Sequence, residues 1–358
     1  MRRLRVAIVG VGDVAQRDYL SEAHRLSDRA EIAVVCGKSP DRVQRVAAQY
    51  GIPRWTVDYH EAITDNIDIV VNLTPHHVHH EITLAALRAG CHVYTEKPLA
   101  ATSTAARELE RISEELNRKL VCAPSIMLFP QLVMVRNLLE SGALGEIVSV
   151  HAHALGGAPP WEGYESDPSP FFSAETGPLV DMGVYPLHAL TGLLGQVSSV
   201  AAVSMRTRDS FTVAEGPHAG LLVPVEVDDV WHLALRFNNA VGSIEVNFAT
   251  APSSAPECEL RSERGAVAFS LLDVSAPVSV LGPDGDWVLT EVDHQRDAGP
   301  DHLLGVEHLI DCIATGAAPI PSAAAAVHVL DVIAAARTSA ASGRTVILDP
   351  ITTGDPGE

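Results

Sequence analysis

Two groups of residues have the types and spacing to do chemistry. Gly10-Val11-Gly12-Asp13-Val14-Ala15 is a GxGxxA run between a Val/Ile-rich segment and a helix-like one. Its first glycine permits a tight turn, its second lets the backbone approach a pyrophosphate, and its small last residue lets helix pack close to strand. The helix N-terminus adds N–H donors and partial positive charge. Such a turn seats a dinucleotide. The second group is Lys97, in Glu96-Lys97-Pro98, together with Asp181, Tyr185 and His188. The last three are spaced i, i+4, i+7, so on a helix they share one face, and Pro186 is expected to kink that helix by crowding the Met182 carbonyl. Amine, carboxylate, phenol and imidazole are the groups that exchange protons with a reacting hydroxyl. A dinucleotide turn in the same chain makes hydride transfer a chemistry such groups could serve, in which the cofactor handles the hydride and the protein the proton.

The end of the second strand bears on which dinucleotide. A NAD site places an acid there for the ribose hydroxyls. Here the chain reads Cys36-Gly37-Lys38-Ser39-Pro40-Asp41-Arg42, with Gly37 in the acid's place. Lys38, the Ser39 hydroxyl and Arg42 surround a helix start, an arrangement that suits a phosphate dianion. The expectation is NADP(H) in preference to NAD(H).

The elements that must position these residues are legible. Apolar runs at 5–9, 31–36, 67–73, 91–95 and 119–122 alternate with helix-like segments, one capped by Ser39-Pro40 and one opened by Thr74-Pro75 and stopped at Gly90. Near-continuous apolar strands alternating with helices predict a parallel, doubly wound sheet. Lys97 then lies just past the carboxyl end of a strand, where ligands bind in such sheets. Beside a cationic nicotinamide and partly desolvated, its ammonium is expected to lose stability and its pKa to fall. From about residue 145 the texture changes. Segments 146–154, 230–237 and 242–248 alternate apolar with polar residues, as half-exposed antiparallel strands do, with Asn238-Asn239 as a hairpin turn. An Ala-rich helix is expected at 322–341, from Ser322 to Gly343. The predicted division is a cofactor domain, 1–122, and a substrate domain, 123–358.

Composition narrows the partners. In 358 residues, 25 Lys and Arg stand against 45 Asp and Glu, a net charge of −20. Nucleic-acid and anionic-membrane partners need a basic footprint and are not expected. The apolar stretch 182–205 has membrane-spanning length but is broken by Pro186, His188 and two glycines, so it reads as helix, turn and strand. Five cysteines are widely spaced without a CxxC pair, three of them, Cys36, Cys91 and Cys122, in apolar runs that read as free buried thiols, and a reducing cytoplasm is expected.

Further motifs carry a family resemblance. Thr74-Pro75 with His79, then Glu96-Lys97-Pro98, then Ser141-Gly142-Ala143-Leu144-Gly145-Glu146, then Gly177 to Tyr185 (GPLVDMGVY) follow the GxGxxA turn in order. As a set, and over almost the whole chain, they resemble the glucose–fructose oxidoreductase / inositol dehydrogenase / rhizopine-catabolism (Gfo/Idh/MocA) family. The resemblance implies an α/β architecture: a Rossmann domain, then an α/β domain on a large, open, mostly antiparallel sheet whose outer face pairs copies into a homodimer or homotetramer. It also implies a secondary alcohol or ketone of a sugar, sugar derivative or cyclitol as substrate. Lys97 matches the family's catalytic lysine, Asp181 its C-terminal acid, Tyr185 the His/Tyr position, and His79 the TPxxxH histidine near the cofactor. The chain departs from the pattern at Pro186 and at Ala123-Pro124-Ser125-Ile126, where Asn and Arg are commoner.

The expected roles follow. Tyr185 gives or takes the substrate proton with Lys97 on the same oxygen, Asp181 binds a neighbouring hydroxyl or orients Lys97, and His188 can replace Tyr185. Thr74, Pro75, His76, His79 and Glu96 line the cofactor. The stretch 158–178 concentrates Trp161, Tyr164, Phe171 and Phe172 among prolines, and Trp161 and Phe172 are expected to face a sugar ring, or else to pin the loop. His76-His77-Val78-His79-His80 invites a metal, but no carboxylate or Cys completes a sphere, and none is expected. Two other activities fit the same residues: glycoside cleavage through transient oxidation by a tightly held cofactor, and a catalytically silent cofactor- or sugar-sensing regulator.

Overall fold

The computed structural model describes residues 2–350 apart from 65, 162, 283–284, 295 and 297. The chain forms two compact units. The first begins with β1 (Leu4–Val9), β2 (Ala30–Cys36), α1 (Pro40–Gln49), β3 (Trp55–Thr56), α2 (Tyr59–Ala62), β4 (Ile69–Asn72), α3 (His79–Arg88), β5 (His92–Thr95), α4 (Ser103–Glu115) and β6 (Leu120–Cys122). The strands pair in parallel in the order β3-β2-β1-β4-β5-β6. Strands β1, β2, β4 and β6 are mostly apolar because helices cover both faces of such a sheet. Ser39, Asp58 and Thr102 accept from backbone N–H groups at the starts of α1, α2 and α4. Strand order reverses at β1, whose Val9 is paired with Asn72 of β4. The crevice for a ligand therefore opens where β1 and β4 end, at Gly10 and Thr74.

The second unit holds α5 (Pro130–Glu140), β7 (Ile147–Ala154), α6 (Gly177–Asp181), α7 (Val184–Leu194), β8 (Ser199–Met205), β9 (Ser210–Thr212), β10 (Leu222–Pro224), β11 (Val230–Arg236), β12 (Val241–Asn247), β13 (Cys258–Ser262), β14 (Ala266–Phe269), β15 (Val278–Leu281), β16 (Trp287–Thr290) and β17 (Val346–Ile347). Its nine-stranded sheet runs β16-β15-β14-β13-β7-β12-β11-β8-β17, with β7 and β12 its parallel pair; β9 and β10 pair separately. The hairpin turn at Asn238-Asn239 sets the β11/β12 register, opposing Leu233 to Ile244, and closes with Phe237 N–H on Ala240 O at 2.9 Å. Alternation sorts the faces: Trp231, Leu233 and Leu235 are buried, while His232, Ala234 and Arg236 are exposed.

The first unit is not one continuous stretch. Residues 301–327 return to it and bring α8 (Leu304–Thr315), whose Val306, Leu309 and Ile310 join Val6, Ile8, Ile69, Tyr94 and Val121 in one core. Arg25 ties this return down, at 2.8 Å from Asp301 and 2.5 Å from Glu307. Ending the first domain at residue 122 misses the return, because an amphipathic helix pattern does not say which sheet the helix covers. α9 (Ala323–Ser342) starts at Ser322, whose Oγ accepts from Ala325 N–H. It is long and apolar enough to cross a membrane by length and composition, yet over half of it is buried. Within the second unit it packs on the sheet edge, with Ser339 Oγ and His328 Nε2 accepting from Ala202 and Val197 N–H. All five cysteines are free and buried.

Candidate active site

In the first unit, β1 delivers the chain into the glycine turn. Gly10 sits at φ +102°, and a Cβ there would overlap the Leu73 carbonyl, so only glycine fits. At Gly12 the corresponding space is open, which leaves its backbone approachable by a phosphate. Val14 and Ala15 lead into a π-helical turn, Ala15–Leu20, with Ala15 fully buried. The residues present therefore fit a dinucleotide. The side chain of Asp13 is engaged by the protein. Its Oδ2 accepts from Glu165 and Ser166 N–H at 2.9 and 2.7 Å, so the carboxylate anchors that backbone; beside a pyrophosphate it would repel.

At the end of β2, a Cβ on Gly37 would lie 2.6 Å from Val11 Cγ2. An acidic residue cannot enter without displacing the valine of the glycine turn. Ser39 caps α1, its Oγ accepting from Arg42 N–H at 3.4 Å. Lys38 and Arg42 are exposed, and neither has a carboxylate partner among the described residues.

The Thr74-Pro75 turn is built by a residue the motifs did not single out. Asn72, fully buried at the end of β4, accepts from Thr74 Oγ1 at 2.6 Å and donates to His79 O and Thr83 Oγ1 at 3.2 Å each. His79 is 1% exposed and lies between two carbonyls, Nδ1 at 2.7 Å from Pro98 O and Nε2 at 2.7 Å from Thr74 O. Burial lowers its pKa, opposed by those carbonyls. The imidazole thus links the Thr74-Pro75 turn to the Lys97-Pro98 loop, with both nitrogens occupied by protein instead of cofactor. Half-buried His76 stacks edge-on to exposed His77, and His80 pairs with Glu108 at 2.9 Å. Among the described residues no group of His, Cys, Asp and Glu is disposed to hold a metal.

Lys97 is half-buried just past β5. Its N–H donates to Glu96 Oε2 at 2.9 Å, and the other Glu96 oxygen accepts from the Tyr19 hydroxyl at 2.6 Å. Tyr19 and Tyr94 escaped the sequence reading because tyrosines in apolar runs look like core residues.

In the second unit, Asp181, Tyr185 and His188 are 6%, 7% and 4% exposed. They do not lie on one kinked helix. Met182 and Gly183 N–H both turn back to Pro178 O, ending α6 at Asp181, and α7 begins afresh at Val184. Gly183 is required, since a Cβ would strike the Leu179 carbonyl. Pro186 falls in the first turn of α7, where its missing N–H costs nothing. Asp181 therefore comes from the end of one helix, and Tyr185 and His188 from the start of the next. His188 Nδ1 has no hydrogen-bond partner among the described residues, and burial holds its pKa down to about 4. It is a neutral imidazole with acceptor capacity unspent.

The aromatic loop is corrected in part. Phe172, 1% exposed, stacks on Phe211 at 5.0 Å and meets Phe248 edge-on at 5.9 Å. It is a core residue and offers no face to a sugar. Trp161 is half-buried, edge-on to Phe248 at 5.7 Å. These rings pin the loop, as aromatic edge-to-face clusters do.

Comparison with known proteins agrees with this geometry. Residues 4–123 match the oxidoreductase family with an NAD-binding Rossmann fold, and residues 132–268 match the GFO/IDH/MocA C-terminal domain. D-glucoside 3-dehydrogenase of Escherichia coli is 34% identical over 211 residues, 57% of this chain and 58% of that one. Levoglucosan dehydrogenase of Pseudarthrobacter phenanthrenivorans is 26% identical over 75% of this chain and 74% of its own. A dTDP-3,4-didehydro-2,6-dideoxy-alpha-D-glucose 3-reductase of Actinomadura kijaniata is 31% identical over 88% of this chain and 96% of its own. Among solved structures, levoglucosan dehydrogenase in complex with NADH and levoglucosan superposes with a TM-score of 0.83 at 24% identity, covering 97% of this chain and 99% of that one. With both domains matched in order, the chain belongs to the Gfo/Idh/MocA family of NAD-binding oxidoreductases.

Proposed function

We propose that this protein interconverts a secondary alcohol and a ketone on a sugar, sugar derivative or cyclitol, preferring NADP(H). The observation that carries the reading is Lys97, half-buried just past β5 in the sheet whose β1 ends in the open glycine turn. The nicotinamide, when bound, accepts or gives the hydride. The chain's own residues bind, orient and manage the proton. Lys97 hydrogen-bonds the reacting oxygen. Tyr185 gives or takes its proton, and Asp181 accepts a hydrogen bond from a neighbouring hydroxyl. His188, neutral and with Nδ1 unspent, is the competing proton acceptor. The names of two relatives place their reactions at position 3 of a sugar, which supports a ring secondary alcohol as the target.

The cofactor preference is supported by Gly37 packed on Val11, which excludes a ribose-binding acid, and by the exposed cations Lys38 and Arg42 at the start of α1. We further propose that the outer face of the nine-stranded sheet seats a second copy of the chain. It exposes Val203, Met205 and Val241, apolar residues at 68%, 57% and 59% exposure on alternate positions of β8 and β12. The test is turnover of a panel of methyl D-glucosides, levoglucosan and myo-inositol with NADP+ and with NAD+. Oxidation of at least one, with higher kcat/KM for NADP+, is the expected result. Equal kcat/KM for the two cofactors removes the preference, and wild-type turnover by Lys97→Ala and Tyr185→Phe removes the assigned roles.

A further inference from the structure

Glu96 precedes Lys97, is 8% exposed, and has both carboxylate oxygens engaged. One accepts from the Lys97 amide at 2.9 Å; the other accepts from the Tyr19 hydroxyl at 2.6 Å. Tyr19 is 1% exposed and belongs to the π-helical turn that leaves GxGxxA. Its oxygen lies 3.0 Å from the Tyr94 hydroxyl, and the two rings meet edge-on at 5.8 Å. Tyr94, fully buried on β5, reaches the His302 carbonyl at 3.4 Å. The turn that fits the cofactor and the loop that bears Lys97 are thus joined by two hydrogen bonds in series, in the dry interior of one unit.

We propose that Tyr19 is a positioning residue for Lys97, acting through Glu96 and backed by Tyr94. This rests on Lys97 being the group that handles the reacting oxygen. A carboxylate with a donor on each oxygen is held in one orientation, and through the amide it fixes the peptide from which the Lys97 side chain leaves. Without the Tyr19 hydroxyl, a buried carboxylate is one donor short and turns toward another, taking that peptide with it. Burial, reinforced by the Glu96 charge, raises the Tyr19 pKa far above that of an ordinary phenol, so the hydroxyl remains a donor throughout the working range. The placement of Tyr19 within four residues of Ala15 means that seating a dinucleotide and aiming Lys97 share one support. π-Helical turns recur at functional sites, and this one turns Tyr19 inward.

The chain is well suited to a direct test, because it has only three lysines, Lys38, Lys97 and Lys119. Reductive methylation with 13C-formaldehyde gives three dimethyl-lysine signals in the NADPH-saturated full chain, assigned by Lys38→Arg and Lys119→Arg. In Tyr19→Phe the Lys97 signal is expected to move and sharpen while the other two stay in place. With whichever sugar of the panel is oxidised, kcat falls by about 10- to 100-fold while KM for sugar and NADP+ stays within about twofold, as expected for misplacement of a reacting group. Glu96→Gln, isosteric and still able to accept from Tyr19 or from the amide, gives a smaller loss and covers the case in which Tyr19→Phe folds poorly. An unmoved Lys97 signal in both variants overturns the proposal, and so does a loss expressed wholly in the NADPH dissociation constant. Full activity in Lys97→Ala overturns the functional reading instead, while the NMR arm, which needs no substrate, still decides whether Tyr19 positions Lys97.

Discussion

Lys97 and His188 are the residues whose chemistry depends most on where the fold puts them. Lys97→Ala is expected to lower kcat by about 100-fold or more, the range of a lost acid–base group, with the NADPH dissociation constant nearly unchanged. Lys97→Arg is not expected to restore it, since a planar, bulkier guanidinium does not place a donor where the compact ammonium sits. Stopped-flow turnover and cofactor fluorescence titration separate the two effects. His188 makes a prediction about stability. Its pKa falls from 6.5 to about 4 on folding because burial disfavours the cation. As pH drops through 6.5, the unfolded chain takes up a proton that the folded chain refuses. The contribution of His188 to stability therefore declines between about pH 6.5 and pH 4 and is flat above and below. The difference amounts to about 3 kcal/mol for this residue. His79, lowered by the same cause, adds to the same slope. Urea unfolding of wild type and His188→Leu at pH 7 and pH 4.5 checks this, with a smaller pH difference expected in the variant.

Element ends decide the cofactor half of the proposed site. α1 begins where β2 hands over to Gly37-Lys38-Ser39, so its N-terminal donors and two cations come from one turn. Lys38→Ala is expected to lower kcat/KM for NADPH by about tenfold, one charge-assisted contact's worth, and to leave NADH within about twofold. Steady-state kinetics with both cofactors reads this directly. The return of α8 to the first sheet depends on a cation that is 11% exposed beside a 3% exposed carboxylate, Arg25 and Asp301. Arg25→Ala leaves Asp301 buried without its partner and leaves the part-buried Glu307 with Arg29 alone, at 3.6 Å. The expected loss is about 3–5 kcal/mol of unfolding free energy, measured by urea titration.

The whole molecule adds a surface that no single strand defines. Val203 and Met205 lie on β8 and Val241 on β12, and only the register of β8, β11 and β12 sets them on one side of one sheet. If a second copy covers that side, sedimentation velocity gives a dimer or tetramer for the wild-type chain. Val203→Glu, which places a charge in the middle of the contact, is then expected to shift it to monomer.

Sequence alone determined the glycine turn and the parallel sheet that carries it. GxGxxA, the missing acid at Gly37 and the strand–helix alternation are local patterns, and their meaning is carried by a few consecutive residues. Tertiary structure decided what depends on distant partners. Asp13 turned out to hold the 165–166 backbone, and Phe172 to be core, because the residues that claim them lie far along the chain. The kinked helix expected at Pro186 is two helices, since Gly183 and the double turn-back onto Pro178 end the first before the proline is reached. Tyr19, Tyr94 and Asn72 left no sequence signal, because a polar tip on an apolar strand or helix acquires its function only from what the packed core sets against it. Spacing fixes which groups are near along the chain; burial and hydrogen-bond geometry fix which of them remain available to a ligand.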